Sequence, residues 1–139
     1  MQATYTLLIK LAQPRDIIIG KRGDYSFRDG HYAYVGSALN GLEQRIGRHL
    51  RHEKKLYWHI DYLLQYAEVR GVIYAETDSK QECRVAGELY DVLEVVPGFG
   101  CSDCRCLSHL YYHRDPNTLR QAVLAGFRVI GLIPEESFY

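Results

Sequence analysis

Residues 31–50, HYAYVGSALNGLEQRIGRHL, join a strand pattern to a helix pattern within one short stretch of the chain. The segment HYAYVGS alternates aromatic and small side chains, which predicts a strand that ends near Gly36, where the chain must turn. Asn40-Gly41 then opens a predicted helix of about a dozen residues. The stripe of this helix that is predicted to face a core recurs every fourth residue: Leu42, Ile46 and Leu50. The stretch therefore predicts a strand followed closely by an amphipathic helix.

A second face of the predicted helix collects positive and titratable side chains. Arg45, Arg48, His49 and His52 share this face by helical spacing. The basic stretch continues beyond the helix into Lys54 and Lys55. A charged helix face is usually exposed to solvent and has no further role. The alternative interpretation is that this face binds phosphate. The whole chain carries 17 Lys and Arg against 17 Asp and Glu, so any nucleic-acid site has to be a local patch.

Length and hydropathy limit the class of protein. A chain of 139 residues is expected to form one domain, residues 1–139, with a substantial core. No apolar run approaches the roughly 20 residues of a membrane-spanning helix, and MQATYTLLIK lacks the basic start and cleavage site of a signal peptide. The sequence therefore predicts a soluble, cytoplasmic protein that does not contact a membrane.

Strand and helix patterns alternate along the rest of the chain. Residues 3–12 and 15–20 are predicted strands, joined as a hairpin through Gln13-Pro14. Further predicted elements are a helix at 56–67, strands at 68–77 and 108–114, helices after residue 79 and from 116 to about 125, and a short final strand. Ser79 and Glu82 match the S-x-x-E capping box that begins many helices. This order indicates an α/β fold.

Five segments together resemble a known family. They are ATYTLLI (3–9), HYAYVGSALNGLEQRIGRHL (31–50), KKLYWHIDYLL (54–64), QECRVAGEL (81–89) and PGFGCSDCRCLSHLYY (97–112). From Ala3 to Tyr112 the chain resembles the GIY-YIG nuclease superfamily, and within it the small stand-alone group long classed as a domain of unknown function. Ala3-Thr4-Tyr5 stands where the first motif has Gly-Ile-Tyr. The resemblance implies a GIY-YIG-like α/β fold with a small, mainly antiparallel central sheet flanked by helices, and a C-terminal extension from about residue 113.

The resemblance also implies roles for individual residues. Tyr5 and Tyr34 would line the catalytic surface, Arg45 would contact the scissile phosphate, and His49 would act as general base or support one. A glutamate on a later helix would bind a single divalent metal, Mg²⁺ or Mn²⁺; Glu82 is the first choice and Glu88 the alternative. The implied activity is hydrolysis of nucleic-acid phosphodiesters, with DNA as the expected partner. The predicted nucleic-acid-binding residues are Arg45, Arg48, His52, Lys54 and Lys55.

A separate cluster of cysteines indicates a second kind of site. A four-ligand zinc site can be assembled from Cys83, Cys104, Cys106 and His109. The alternative is that these cysteines are small buried thiols, because C-x-C spacing is less typical of structural zinc than C-x-x-C. A disulfide framework is not expected in a cytosolic protein.

Three functional hypotheses remain open at this point. The first is a divalent-metal-dependent endonuclease, and the second is a non-catalytic nucleic-acid-binding module with the same fold. The third is a redox or zinc-dependent interaction domain built around the cysteine cluster. The choice between DNA and RNA also stays open, because phosphate contacts carry no sequence information.

Overall fold

The computed structural model describes residues 1–100 and 106–139. Its strands are β1 (Ala3–Leu11), β2 (Arg15–Ile19), β3 (Gly23–Phe27), β4 (Gly30–Ala38), β5 (Glu68–Glu76), β6 (Glu94–Val95), β7 (Leu110–His113) and β8 (Glu135–Phe138). Its helices are α1 (Leu42–Leu50), α2 (His59–Leu63), α3 (Glu82–Tyr90) and α4 (Pro116–Val129).

Within these residues, one six-stranded sheet organises the fold. Its strand order is β6-β7-β4-β1-β5-β8, and every neighbouring pair is antiparallel. The β-branched and aromatic content of β1 suits its central position, where both faces of the strand are covered. The predicted α/β class, with an antiparallel central sheet flanked by helices, is confirmed.

Helices cover both faces of the sheet, so the core has two halves. On one face, Tyr5, Leu7 and Ile9 of β1 pack with residues of α1 and α2. On the other face, Leu8 of β1 packs with residues of α3 and α4. This division follows from the two-residue period of a strand, which sends successive side chains to opposite faces. The first face carries the candidate site.

The predicted hairpin between the first two strands is wrong. β1 pairs with β4 and β5, and β2 instead pairs with β3 in a separate two-stranded sheet. Residues 15–27 thus form a small hairpin that is inserted between β1 and β4. The end of β1 and the start of β4 remain paired, with Leu11 opposite Gly30. The hairpin buries Ile17, Ile19 and Phe27 against the face that carries α2.

Helix α1 is shorter than predicted, and its apolar stripe differs at one residue. Leu42 and Ile46 are buried as expected, but Leu50 is 42% exposed at the end of the helix. His49 takes the buried position and is only 3% exposed. The prediction that Leu50 faces the core is therefore wrong, and His49, predicted on the basic face with Arg45, lies buried instead.

The segment after residue 113 contributes one helix, α4, and one strand, β8, to the fold. Asp115 begins α4 by accepting a hydrogen bond from the Thr118 amide at 2.8 Å. Helix α4 packs against the sheet beside α3, and β8 forms the sheet edge next to β5. No helix among the described residues is long and apolar enough to cross a membrane.

Candidate active site

A cleft of about 730 Å³ lies where the ends of β1 and β4 meet the helices. Its polar lining comes from six regions of the chain: β1, β4, α1, the start of α2, the start of α3, and the residues before β7. The side chains that can take part in acid–base, phosphate or metal chemistry here are Tyr5, Tyr34, Ser37, Arg45, His59, Lys80, Glu82, Cys83 and His109. The fold therefore gathers into one cleft groups that are far apart in sequence.

The sheet register brings the two predicted tyrosines together. Tyr5 lies opposite Gly36, and Tyr34 lies opposite Leu7, so both rings are on the same face of neighbouring strands. A Cβ atom at residue 36 would lie only 2.6 Å from the Tyr5 hydroxyl oxygen. Gly36 is thus required by the close approach of the Tyr5 ring.

His49 joins the tyrosines through a direct hydrogen bond. The distance from the Tyr5 hydroxyl oxygen to His49 Nε2 is 2.7 Å. Burial raises the pKa of Tyr5 to about 12 and lowers the pKa of His49 to about 3. Burial also raises the pKa of Tyr34. At neutral pH the phenols and the imidazole are therefore uncharged.

Burial of the His49 imidazole is expected to make the stability of the fold depend on pH. The pKa of His49 is about 3 in the folded chain and 6.5 in the reference state. As the pH falls, His49 is protonated in the unfolded chain at a higher pH than in the folded chain. The free energy of unfolding is therefore expected to decrease below pH 6.5, by up to about 1.4 kcal/mol per pH unit. His49→Gln is expected to reduce this loss. Urea unfolding at about pH 7.5 and about pH 5 measures it.

His52→Gln is the control for this experiment, because the His52 side chain is exposed and its replacement removes no buried imidazole. The comparison uses the change in unfolding free energy between the two pH values, so a constant cost of either substitution cancels. An equal pH dependence in His49→Gln and wild type would contradict the prediction.

Arg45 places a positive charge in the cleft. Its Nη1 donates to the carbonyl oxygen of Ser37 at 3.0 Å, and its guanidinium lies 4.6 Å from the centre of the Trp58 ring. Among the described residues Arg45 forms no ion pair with a carboxylate. Its charge is therefore held in position without being neutralised, which suits an anion-binding group.

Glu82 is the one carboxylate among the described residues that line the cleft. It is the first residue of α3 and accepts a hydrogen bond from the Ser37 hydroxyl. The predicted capping box is wrong: the N-cap residue of α3 is Gln81, which makes no side-chain capping hydrogen bond, and the Ser79 hydroxyl accepts a hydrogen bond from the Gln81 side chain. Glu88, the alternative metal ligand, lies near Gly126 of α4, away from the cleft.

Other residues of the predicted nucleic-acid-binding set make contacts within the fold. Arg48 forms two hydrogen bonds with the buried carboxylate of Asp61, at 2.7 and 2.9 Å. Lys54 donates to the carbonyl oxygens of Arg48 and His49 at the end of α1. His52 and Lys55 are exposed outside the cleft. Arg45 is thus the member of this set that lines the cleft.

Part of the predicted zinc set is also brought together. The possible ligand atoms of Cys83, Cys106 and His109 all lie within 4.8 Å of one another. The distance from Cys83 Sγ to His109 Nε2 is 3.8 Å. Cys104, the fourth predicted ligand, lies outside the described residues, as does Cys101. The three described donors are close enough to bind a metal ion.

Ser37 and Lys80 line the cleft without a role assigned from the sequence, and His59, which the sequence offers either as an extension of the site or as a packing residue, lines it too. The Ser37 carbonyl oxygen accepts a hydrogen bond from Arg45, and the Ser37 hydroxyl donates one to Glu82. The sequence feature that could have identified Ser37 is its position directly after Gly36. His59 accepts a hydrogen bond at Nδ1 from the Gly100 amide at 2.8 Å. Lys80 supplies a second cation near Glu82. No spacing rule connects these positions, because tertiary contacts alone bring them to the cleft.

Comparison with protein families gives one match. The family model described as Domain of unknown function DUF123 matches residues 4–132. The chain belongs to the DUF123 family. Its match includes every described residue that lines the cleft. Comparisons with curated proteins and with solved structures each gave no significant match.

Proposed function

We propose that this DUF123 protein is a GIY-YIG-type, divalent-metal-dependent endonuclease that hydrolyses phosphodiester bonds in nucleic acid, most readily DNA. The observation that carries the proposal is the convergence of Tyr5, Arg45 and Glu82 on one cleft, with His49 bonded to the Tyr5 hydroxyl from outside the cleft lining. Phosphodiester hydrolysis needs a proton acceptor for water, a cation for the developing negative charge, and stabilisation of the leaving oxygen. These side chains supply a candidate for each requirement.

Arg45 would bind the scissile phosphate in this proposal. The guanidinium can donate to two phosphate oxygens at once, and its contact with the Ser37 carbonyl oxygen fixes its direction. The half-buried position of Arg45 strengthens its attraction for an anion compared with a cation in bulk water. Because Arg45 is already in position, little reorganisation is needed when charge develops on the phosphate.

The Tyr5–His49 pair would accept the proton of the attacking water. The raised pKa of Tyr5 makes a free phenolate unfavourable at neutral pH. The Tyr5 hydroxyl can instead accept a proton from water while it donates its own proton to His49 Nε2, 2.7 Å away. A bound phosphate anion would raise the pKa of His49, which favours this transfer.

Two metals of different chemistry belong to the proposal. Glu82 fits Mg²⁺ or Mn²⁺, because such ions are held by one or two carboxylates together with water and substrate phosphate. The ion would stabilise charge on the leaving oxygen. The sulfur-containing group fits Zn²⁺, with Cys104 as the fourth ligand predicted from the sequence. The cytoplasmic location predicted from the sequence is part of the same proposal.

The carboxylate assignment gives the first test of the function. Labelled DNA and RNA of several structures are incubated with the protein and Mg²⁺ or Mn²⁺, for wild type, Glu82→Gln and Glu88→Gln. Cleavage is expected to require metal and to fall by roughly a hundredfold or more in Glu82→Gln. Glu88→Gln is the matched control on the same helix and is expected to retain activity.

Two outcomes would contradict the proposal. Cleavage that is equal in Glu82→Gln and wild type would remove Glu82 from the mechanism. No cleavage of any substrate, together with salt-sensitive nucleic-acid binding, would favour the non-catalytic binding module, whose affinity depends on phosphate contacts alone.

A further inference from the structure

We infer that Cys83, Cys106 and His109 bind one zinc ion. This ion would tie Cys106 and His109 to the start of helix α3 and so hold Phe99 and Gly100, at one wall of the cleft, in place. The ion would have a structural role rather than take part in hydrolysis. The inference concerns a second metal centre, separate from the Mg²⁺ or Mn²⁺ assigned to Glu82.

The chemistry of the donor group favours zinc. Two cysteine sulfurs and an imidazole nitrogen lie within 4.8 Å of one another, and together they supply three of the four ligands of a tetrahedral zinc site. Sulfur donors select against Mg²⁺ and Ca²⁺, which prefer oxygen. Cys83 lies on α3, whereas Cys106 and His109 lie 23 or more positions later in the chain. A metal here would therefore cross-link two distant segments.

The main chain fixes the position of His109 before any metal binds. Its amide donates to the carbonyl oxygen of Phe99 at 2.8 Å, and its own carbonyl oxygen accepts from the Val35 amide at 2.9 Å. These bonds attach His109 to β4 next to Tyr34.

Gly100 lines the cleft, and Phe99 directly before it is bonded to the His109 amide. The Gly100 amide donates to His59 Nδ1 at 2.8 Å, and a Cβ at Gly100 would lie 3.1 Å from the Tyr34 ring. The Phe99 ring lies 5.6 Å from the His59 ring and 6.3 Å from the Tyr34 ring, measured between centroids. Movement of Phe99 and Gly100 would therefore change the surroundings of Tyr34 and His59.

The other end of the cross-link is next to the proposed magnesium ligand. Cys83 directly follows Glu82 in the first turn of α3. The N-cap residue Gln81 makes no side-chain capping hydrogen bond, so a bond from Cys83 to a metal would limit fraying of the turn that carries Glu82. Cys83 thus acts as a positioning residue for Glu82.

The first experiment measures metal content and needs no nuclease activity. Protein purified without chelator is compared with Cys83→Ser, Cys106→Ser and Arg84→Ser, the last being an exposed control on the same helix. About one zinc per chain is expected in wild type and in Arg84→Ser, and loss of zinc in both cysteine variants. Cobalt substituted for zinc is expected to give thiolate-to-metal charge-transfer absorption. Absence of zinc, or a disulfide between Cys83 and Cys106 found by thiol titration, would overturn the inference.

The second experiment tests the wall of the cleft through Trp58, the single tryptophan of the chain, which lines the cleft beside His59. Removal of zinc is expected to shift Trp58 emission to longer wavelength and to increase its quenching by acrylamide. The far-UV circular dichroism spectrum is expected to remain that of the folded protein. Zinc restores both signals in wild type but not in Cys83→Ser. An unchanged Trp58 signal in zinc-free wild type would overturn the role of the ion in the wall.

A third measurement tests the positioning of Glu82, and it alone rests on the proposed nuclease function. Cys83→Ser is expected to need a higher Mg²⁺ concentration for half-maximal cleavage than Arg84→Ser, with much of the rate recovered at saturating Mg²⁺. An equal Mg²⁺ requirement would overturn the positioning role of Cys83. Failure of cleavage in every protein, with zinc content and Trp58 responses as expected, would overturn the nuclease proposal and leave the zinc site intact.

Discussion

Replacement of Arg45 with alanine is expected to reduce metal-dependent cleavage by about a hundredfold or more, the largest loss that a single cation in this cleft can cause. The guanidinium is directed into the cleft by the Ser37 carbonyl oxygen and meets no carboxylate among the described residues. Its removal would therefore take away the charge that faces the phosphate without releasing an ion-pair partner. Single-turnover cleavage rates at saturating metal measure the effect.

Arg51→Ala is the matched control for Arg45→Ala. Arg51 follows α1 directly, has the same charge and is exposed outside the cleft. Its replacement lowers the net charge equally, so a loss confined to Arg45→Ala would reflect position rather than general electrostatic attraction. Equal losses in the two variants would contradict the assigned contact with the scissile phosphate. Arg45→Lys is expected to recover only part of the rate, because a lysine cannot donate to two phosphate oxygens in a fixed plane.

Binding in the absence of divalent metal separates the nuclease from the binding module. The affinity of wild type for DNA is expected to fall as the salt concentration rises. Arg45→Ala is expected to reduce the slope of log affinity against log salt concentration by about one, which corresponds to the loss of one phosphate contact. This result alone fits both hypotheses. Only cleavage that depends on metal and on Arg45 favours the enzyme.

The strand positions of the two tyrosines could be predicted from sequence, but strand pairing could not in every case. Alternation of side chains in β4 identified Tyr34 as a strand residue, and the register confirms that Tyr5 and Tyr34 share a face. Alternation does not identify the partner of a strand, however. The turn at Gln13-Pro14 fits a hairpin equally well, and only the pairing of β1 with both β4 and β5 excludes it.

Helix α1 shows why the buried side of a helix can be misassigned by one residue. After Ile46, both position 49 and position 50 lie near the same stripe, and hydrophobicity favours Leu50. The structure buries His49 with its Nε2 bonded to the Tyr5 hydroxyl, whereas its Nδ1 has no hydrogen-bond partner among the described residues. A buried polar group needs such a partner, and the partner lies 44 positions earlier in the chain. Local patterns carry no information on that contact.

Glu82 illustrates the same difficulty at the start of a helix. The S-x-x-E pattern gives this glutamate a local role, whereas the resemblance gives it a metal-binding role. The local role fails because α3 begins at Glu82 itself, so its side chain is too near the helix start to act as the third residue of a capping box. The carboxylate instead meets the hydroxyl of Ser37, a contact that depends on how α3 packs against the sheet.

Replacement of Asp61 with alanine is expected to destabilise the fold by about 3–5 kcal/mol, the largest stability effect expected for a charged side chain among the described residues. The Asp61 side chain is fully buried and accepts four hydrogen bonds. Burial opposes its ionisation, but bonds from Arg48 and from the amides of Tyr57 and Trp58 outweigh burial and keep the pKa of Asp61 below its ordinary value. Removal of the carboxylate leaves these donors and one cation without their acceptor.

The Asp61 network also supports the cleft, because it fixes the backbone that carries Tyr57 and Trp58 and holds Arg48 4.3 Å from the Trp58 ring centre. Urea unfolding followed by Trp58 fluorescence measures the loss. The control is Glu68→Ala, which removes an exposed ion pair with Arg70 and is expected to cost less than about 1 kcal/mol. A change in Asp61→Ala as small as that of the control would show that Asp61 is not the buried anchor of this network. Substitution of both Arg48 and Asp61 by apolar residues is expected to recover part of the stability, since no unpaired charge then remains buried.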